Sequence, residues 1–246
     1  MERIILIETS TALCSVALAE DGDVTAYRES SAPKAHASLT AVFVQEVLQE
    51  RGLKLSDCNA VCVSKGPGSY TGLRVGVSTA KGLCFGSGLP LLAVGTLDTL
   101  VAQATMSSNT SVMSSKPSVM SSEVETSPDY KYIIPMIDAR RMEVYSAVFT
   151  TEGSQITETA PVIVDENSFS DYLQQGPCLF IGDGAGKCAD VIRHPNARFI
   201  QCNPKASAML KPALAALSNK DFCDVAYFEP FYLKEFVATV SKKKLF

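Results

Sequence analysis

The stretch "NAVCVSKGPGSYTGLRVG", residues 59–76, decides the fold. Its first six residues form an apolar run typical of a buried strand, and a glycine-rich loop and a helical pattern follow. Glycine loses more conformational freedom on folding than any other residue, so a dense cluster indicates backbone that bends sharply or approaches another group closely. A ligand, a second chain or a tight turn each meets that description. The sequence therefore predicts a strand, a glycine loop and a helix capped by Thr71.

The residues around this stretch predict the element order βββαβαβα. Apolar runs at 4–8 and 15–19 are of strand length, and Asp21-Gly22 is typical of a hairpin turn before a third strand at 23–29. Apolar residues at three- and four-residue spacing predict a helix from His36 to Arg51. The remaining predicted elements are strand 59–64, helix 71–85, strand 89–95 and helix 96–104.

A serine-rich segment, 105–129, predicts a flexible linker, and after it the pattern begins again. Three further strands are predicted, each bounded by polar or glycine-containing segments. A helix, a strand, a helix, a strand and a final helix follow. The predicted bounds are 132–138, 143–150, 154–164, 166–175, 178–182, 185–193, 198–202 and 205–217.

Two βββαβαβα halves have the plan of the actin, Hsp70 and sugar-kinase superfamily, in which ligands lie in the cleft between the halves. The fold class is therefore α/β, actin-like (ribonuclease H-like) and duplicated. The predicted domains are 1–104 and 130–246, joined by 105–129, with the C-terminal portion of the second domain crossing back to the first. The first strand of each half ends in an acid, Glu8 or Asp138.

The composition limits the partners of the chain. Over 246 residues the net charge is −4 and the sequence pI is about 5.3, so no overall basic field attracts nucleic acid or anionic lipid. The basic run 242–244 is expected to be a solvated tail. No signal-peptide core or membrane-spanning stretch is found, and the scattered cysteines are expected to be small buried hydrophobic residues, so the expected location is the cytoplasm.

Two turns are candidates for a vestigial nucleotide and Mg²⁺ site. Carboxylates at the two strand ends would hold Mg²⁺ through water, and the glycine turn "GDGAGKC" would direct backbone N–H groups toward an anion. The candidate residues are Glu8, Thr9, Ser10, Asp138, Gly182 and Gly184. The alternatives are acids capping exposed turns and a plain strand-to-helix turn. With two histidines and no GxSxG motif, no catalytic residue and no metal site is predicted.

Small residues within the helix 71–86 favour an interface. They are Gly72, Gly76, Ser78, Ala80 and Gly82. Glycine inside a helix costs about 0.5–1 kcal/mol relative to alanine. A helix with several such residues is expected to use the space for close packing of another helix, and a partner chain would supply one.

Four motifs carry a resemblance to a known family: "ILIETSTALCSVAL", "GPGSYTGLRVG", "IDARRMEVY" and "EPFYLK". In order and spacing they resemble the signatures of the TsaB (YeaZ) family, glycoprotease-like subunits of the machinery that makes N6-threonylcarbamoyladenosine (t6A) in tRNA. The resemblance implies a non-catalytic subunit that pairs with a TsaD-like catalytic subunit, on which ATP and metal are expected. It also implies a TsaE-like ATPase as a further partner, a homodimer when the chain is alone, and contact with tRNA only through the complex.

The resemblance places the partner interface on the first-domain helices. The predicted interface residues are His36, Leu39, Phe43, Gly72, Arg74, Val75, Gly76, Ser78 and Thr79. The chain departs from the family pattern at Glu8, where Asp is usual, at Tyr70 for Phe, and at Lys234 for Arg. The longer reach of Glu8 weakens the case for a nucleotide site. A stand-alone peptidase or ATPase and direct tRNA binding are the alternatives.

Overall fold

The computed structural model describes residues 1–109 and 130–233, and two β-sheets form its core. The first sheet has the strand order β3-β2-β1-β4-β5. Its strands are β1 (Arg3–Glu8), β2 (Cys14–Glu20), β3 (Asp23–Ser30), β4 (Ala60–Gly66) and β5 (Leu91–Gly95). β1 pairs antiparallel with β2 and parallel with β4. Both faces of β1 are covered, which explains an unbroken apolar run instead of alternation. The strands predicted for this half are confirmed.

Two helices, α1 (Ala35–Glu50) and α2 (Tyr70–Ser87), cover one face of the first sheet. α1 lies on β2 and α2 lies on β4. The predicted N-cap of α2, Thr71, is wrong: the Ser69 Oγ accepts a hydrogen bond from the Gly72 N–H at 3.3 Å, and the helix begins at Tyr70. Gly88, with φ +75°, ends α2 because that conformation suits glycine best.

The second sheet repeats the topology of the first. Its central strand, β6 (Tyr132–Asp138), pairs antiparallel with the strand that follows it and parallel with a strand from later in the chain, as β1 does. The order is β11-β10-β6-β7-β9, with β8 also paired to β6. The other strands are β7 (Glu143–Ser146), β8 (Phe149–Thr150), β9 (Ala160–Ile163), β10 (Cys178–Gly182) and β11 (Ala197–Gln201). The predicted duplication is confirmed.

Several predicted elements of the second half are shorter or divided. The strand expected at 143–150 is two strands, because β7 continues along β9 while β8 pairs with the other end of β6. The strand expected at 154–164 is reduced to β9. The helices expected at 166–175 and 185–193 are α4 (Ser170–Leu173) and α5 (Ala185–Ala189).

Two helices pack on the sheet of the opposite half. α3 (Thr96–Asn109) follows the first sheet in sequence, yet its buried side chains, such as Leu100, pack against the second sheet. α6 (Leu210–Ser218) and the 3₁₀ turn before it pack against the first sheet, where Met209 and Ala213 are fully buried. α3 continues past its predicted end at residue 104, and the rest of the predicted linker, 110–129, lies outside the described residues. The domain limits stay a prediction.

After α6 the chain returns along α2. Cys223 pairs with Leu91, the Lys81 ammonium donates to the carbonyls of Ala226 and Phe228, and the Phe231 N–H donates to the Lys65 carbonyl at 2.7 Å. These bonds hold the segment 223–231, which follows α6, against the first half. Within 1–109 and 130–233, no helix is both long and apolar enough to cross a membrane.

Candidate functional site

The glycine loop and α2 pack directly on the turn that leaves β1. The Thr9 hydroxyl donates to the Gly72 carbonyl at 2.9 Å, and the Ser69 N–H donates to the Ser10 carbonyl at 2.6 Å. A Cβ on Gly68 or Gly72 would lie under 3.0 Å from the backbone of that turn, and one on Gly76 would overlap the Thr9 hydroxyl. The glycines therefore permit a close approach within the chain itself.

This packing shows where three predicted interface residues lie. Gly72 and Gly76 are buried against the chain's own β1 turn, and Phe43, 8% exposed, belongs to the core between α1 and the sheet. Their contact with a partner stays a prediction. Glycine has no side chain, so Gly72 and Gly76 leave room for Thr9 to pack against α2. The spacing of the glycines in the sequence does not show which neighbour fills that room.

The other predicted interface residues lie at the surface of α1 and α2. Arg74 and Ser78 are exposed. The half-buried ones are His36, Leu39, Val75 and Thr79. No partner chain is present to test them, so they stay predictions.

The structure adds two apolar residues to this surface. Phe85 is 87% exposed and Val42 is 42% exposed. We call the surface they share with their exposed neighbours the outer face, formed by Ala41, Val42, Gln45, Arg74, Ser78, Gly82 and Phe85. The sequence signal for it is the recurrence of Arg74, Ser78, Gly82 and Phe85 at four- and three-residue spacing, which places them on one side of a helix.

The turn after β1 is enclosed rather than open. Glu8, Thr9 and Ser10 have no exposed surface. One carboxylate oxygen of Glu8 accepts a hydrogen bond from the Ser10 N–H at 2.7 Å, and the other, Oε2, has no partner among the described residues. Burial raises the pKa of Glu8 to about 7, against the opposing effect of the hydrogen bond from the Ser10 N–H.

The corresponding turn of the second half brings Asp138, Gly182 and Gly184 together. The Asp138 carboxylate accepts a hydrogen bond from the Lys187 ammonium at 2.5 Å. The backbone N–H of Asp138 donates to Asp183 Oδ1 at 2.9 Å. A Cβ on Gly184 would lie under 3.0 Å from the Val144 side chain, so this glycine permits close packing of strand on turn.

The carboxylates of Glu8 and Asp138 do not suit the binding of a magnesium ion. The Glu8 carboxylate is enclosed in an environment that favours its neutral form, and the Asp138 carboxylate is already neutralised by Lys187. Within 1–109 and 130–233, no group of three His, Cys, Asp or Glu side chains is placed to hold a metal. Nucleotide binding by this chain stays a prediction.

Known proteins resemble the chain over nearly its whole length. A family model described as "TsaD: tRNA N6-adenosine threonylcarbamoyltransferase" matches residues 29–176. The tRNA threonylcarbamoyladenosine biosynthesis protein TsaB of Escherichia coli (strain K12) is 30% identical over 246 residues, covering 96% of each chain. The protein of the same name from Haemophilus influenzae is 33% identical over 251 residues, covering 98% of this chain and 96% of that protein.

A solved structure from Pseudomonas aeruginosa, described as an uncharacterized protein with similarity to peptidase YEAZ, is 25% identical with a TM-score of 0.77. The match covers 95% of this chain and 100% of that one. Two sheets of one topology, each packed by a helix from the other half, define a two-domain protein of the actin-like class. The chain belongs to the TsaB family.

Proposed function

We propose that this chain is a non-catalytic scaffold subunit in the synthesis of t6A in tRNA, where it pairs with and activates a TsaD-type catalytic subunit. Relatives that cover 96% of the chain or more are named as t6A biosynthesis proteins. The match of residues 29–176 to the TsaD family model indicates common descent with the proposed partner. A partner with the same fold would carry an equivalent helix pair, so the two pairs would pack with approximate two-fold symmetry.

The outer face is the observation that carries this proposal. A phenylalanine with 87% of its side-chain surface exposed loses hydrophobic stabilisation that it would gain in an interface. A Cβ on Gly82 or Gly86 would meet no atom of the described residues within 4 Å, so no packing among those residues requires glycine there. Small residues beside an exposed aromatic allow the backbone of a partner helix to approach closely.

The remaining chemistry falls to the partners. ATP and the metal ion of the transfer reaction would be bound by the TsaD-type subunit, and a TsaE-type ATPase would join the pair. In the absence of those partners, a second copy of this chain would occupy the outer face. The tRNA would be held by the assembled complex, in the cytoplasm.

A stand-alone peptidase or ATPase is not favoured. His194 Nδ1 accepts a hydrogen bond from the Asn196 N–H, and His36 Nε2 is enclosed without a partner among the described residues. Within 1–109 and 130–233, neither ring is hydrogen-bonded to a serine or cysteine that it would activate as a nucleophile.

Phe85→Glu is expected to abolish pairing while leaving the chain folded. Phe85 makes few contacts within its own chain, whereas a carboxylate in a helix interface would be desolvated without a counter-ion. We expect the Kd for the TsaD-type protein of the same host to rise at least about 30-fold, as for an interface hot spot.

The control is Ile163→Glu, which places the same charge at an apolar residue that is 76% exposed on β9. Light scattering and pull-down would measure pairing, and circular dichroism would establish folding. Unchanged pairing of a folded Phe85→Glu protein would contradict the proposed role of the outer face.

A further inference from the structure

The turn between β6 and β7 holds two consecutive arginines in the left-handed conformation. Arg140 has φ +72° and Arg141 has φ +50°, and both side chains are exposed. Positive φ at a residue suits glycine or asparagine, because a larger side chain with a Cβ is disfavoured there. The sequence motif "IDARRMEVY" thus places long, charged side chains where the backbone favours small ones.

The backbone of this turn is held from below by Lys187. Its ammonium donates to Asp138 Oδ1, to the Arg141 carbonyl and to the Glu143 carbonyl at 2.5, 2.7 and 2.7 Å. All three N–H donors of Lys187 are therefore used. The Arg140 N–H donates to Asp138 Oδ1 at 2.7 Å, which also fixes the turn.

The two guanidinium groups have no such role. Neither makes a side-chain hydrogen bond or ion pair with any residue in 1–109 or 130–233. Two carboxylates of this region have other partners, since Asp138 pairs with Lys187 and Asp183 accepts from the Asp138 N–H. A fixed, strained turn thus presents two adjacent planar cations to solvent, and guanidinium binds phosphate oxygens well.

We infer that Arg140 and Arg141 contact the phosphodiester backbone of the RNA within the assembled complex. This inference rests on the proposed function, which brings RNA to the complex. An extended polyanion suits the site better than a small nucleotide, because the two arginines lie side by side on an exposed turn. A net charge of −4 gives no long-range attraction, so the contact is local and forms once the partner holds the RNA.

The test compares the complex of full-length chain and TsaD-type partner with complexes that carry Arg140→Asn/Arg141→Gly. Binding of an unmodified tRNA transcript is measured by fluorescence anisotropy across a salt series. Loss of two phosphate contacts is expected to reduce the slope of log K against log[salt] by about 1.5. The same variant is expected to melt ~2–4 °C higher, because Asn-Gly suits the turn.

Two further variants serve as controls. One keeps the positive charges of the turn but not the guanidinium shape, and the other changes the net charge of the chain by the same amount at different residues. Arg140→Lys/Arg141→Lys keeps both cations and is expected to retain most of the salt slope. Arg193→Gln/Arg198→Gln removes two exposed arginines from the same half of the chain. This variant is expected to leave the salt slope unchanged. Poly-glutamate serves as a competitor, and displacement of RNA by it at low concentration would oppose an RNA-backbone site.

An unchanged salt slope for the Asn-Gly variant would overturn the inference. Pairing of the two subunits is measured separately by light scattering. If pairing fails for the unaltered chain, the proposed function fails; if pairing holds and the slope is unchanged, the arginine site alone fails.

Discussion

Gly72→Ala is expected to destabilise the fold by about 3 kcal/mol. The added methyl group would lie under 3.0 Å from the carbonyl oxygen of Thr9, which is backbone in the buried turn directly after β1. The Gly72 carbonyl also accepts the Thr9 hydroxyl at 2.9 Å, so any shift that relieves the overlap also weakens a buried hydrogen bond.

Gly82→Ala in the same helix is the matched control. A Cβ on Gly82 would meet no atom within 4 Å, so alanine is expected to stabilise the fold by about 0.5–1 kcal/mol through its better helix propensity. Urea denaturation followed by circular dichroism gives both values. Equal effects at Gly72 and Gly82 would contradict the packing of the β1 turn described above.

The same packing determines which substitution can test pairing. A charge at Gly76 would meet the Thr9 side chain and unfold the region, so loss of pairing in such a variant would say nothing about the interface. Phe85 lies about two and a half turns of helix away and is largely exposed. A charge there changes the surface and leaves the core intact.

The first half of the fold follows closely from the sequence because its signals are strong. β1 and β4 are unbroken apolar runs buried on both faces, and α1 has apolar residues at helical spacing. The repeat of the strand order in the second half is also predictable, since the elements recur in the same sequence. The packing of α3 on the second sheet and of α6 on the first is harder to predict, because an amphipathic helix of this kind fits either sheet.

The second half is harder to predict because local turns interrupt its patterns. Phe169, with φ +62°, and the hydrogen bonds of Ser168 with Asp165 delay the start of α4 beyond the expected residue 166. The pairing of Lys187 with Asp138 joins residues far apart in the chain, so no local pattern reveals it. The same limit applies to the glycines of α2, whose spacing shows one helix face and not the neighbour against it.

Glu8→Gln is expected to change how stability depends on pH. The pKa of Glu8 is raised from 4.5 to about 7 by burial, so the folded state holds the proton more tightly than the unfolded state. The stabilisation is therefore fully present below pH 4.5 and is lost as pH rises toward 7 and beyond. A shift of this size corresponds to about 3 kcal/mol in total.

Glutamine removes the titration and keeps the geometry. The amide oxygen of glutamine would still accept a hydrogen bond from the Ser10 N–H. Its amide NH2 group would donate to the hydroxyl of Ser10 or Ser64, which lie near the Glu8 carboxyl. The free energy of unfolding, measured in urea from pH 5 to pH 8, should fall less steeply for Glu8→Gln than for the unaltered chain.

Above pH 7 the glutamine variant should be the more stable protein, whereas Glu166→Gln, at an exposed residue, should follow the unaltered chain. Parallel curves for Glu8→Gln and the unaltered chain would mean that water or an ion solvates the Glu8 Oε2 atom, which has no partner among residues 1–109 and 130–233. In that case the turn after β1 would be open to ligands, and the argument against a magnesium site at Glu8 would fail with it.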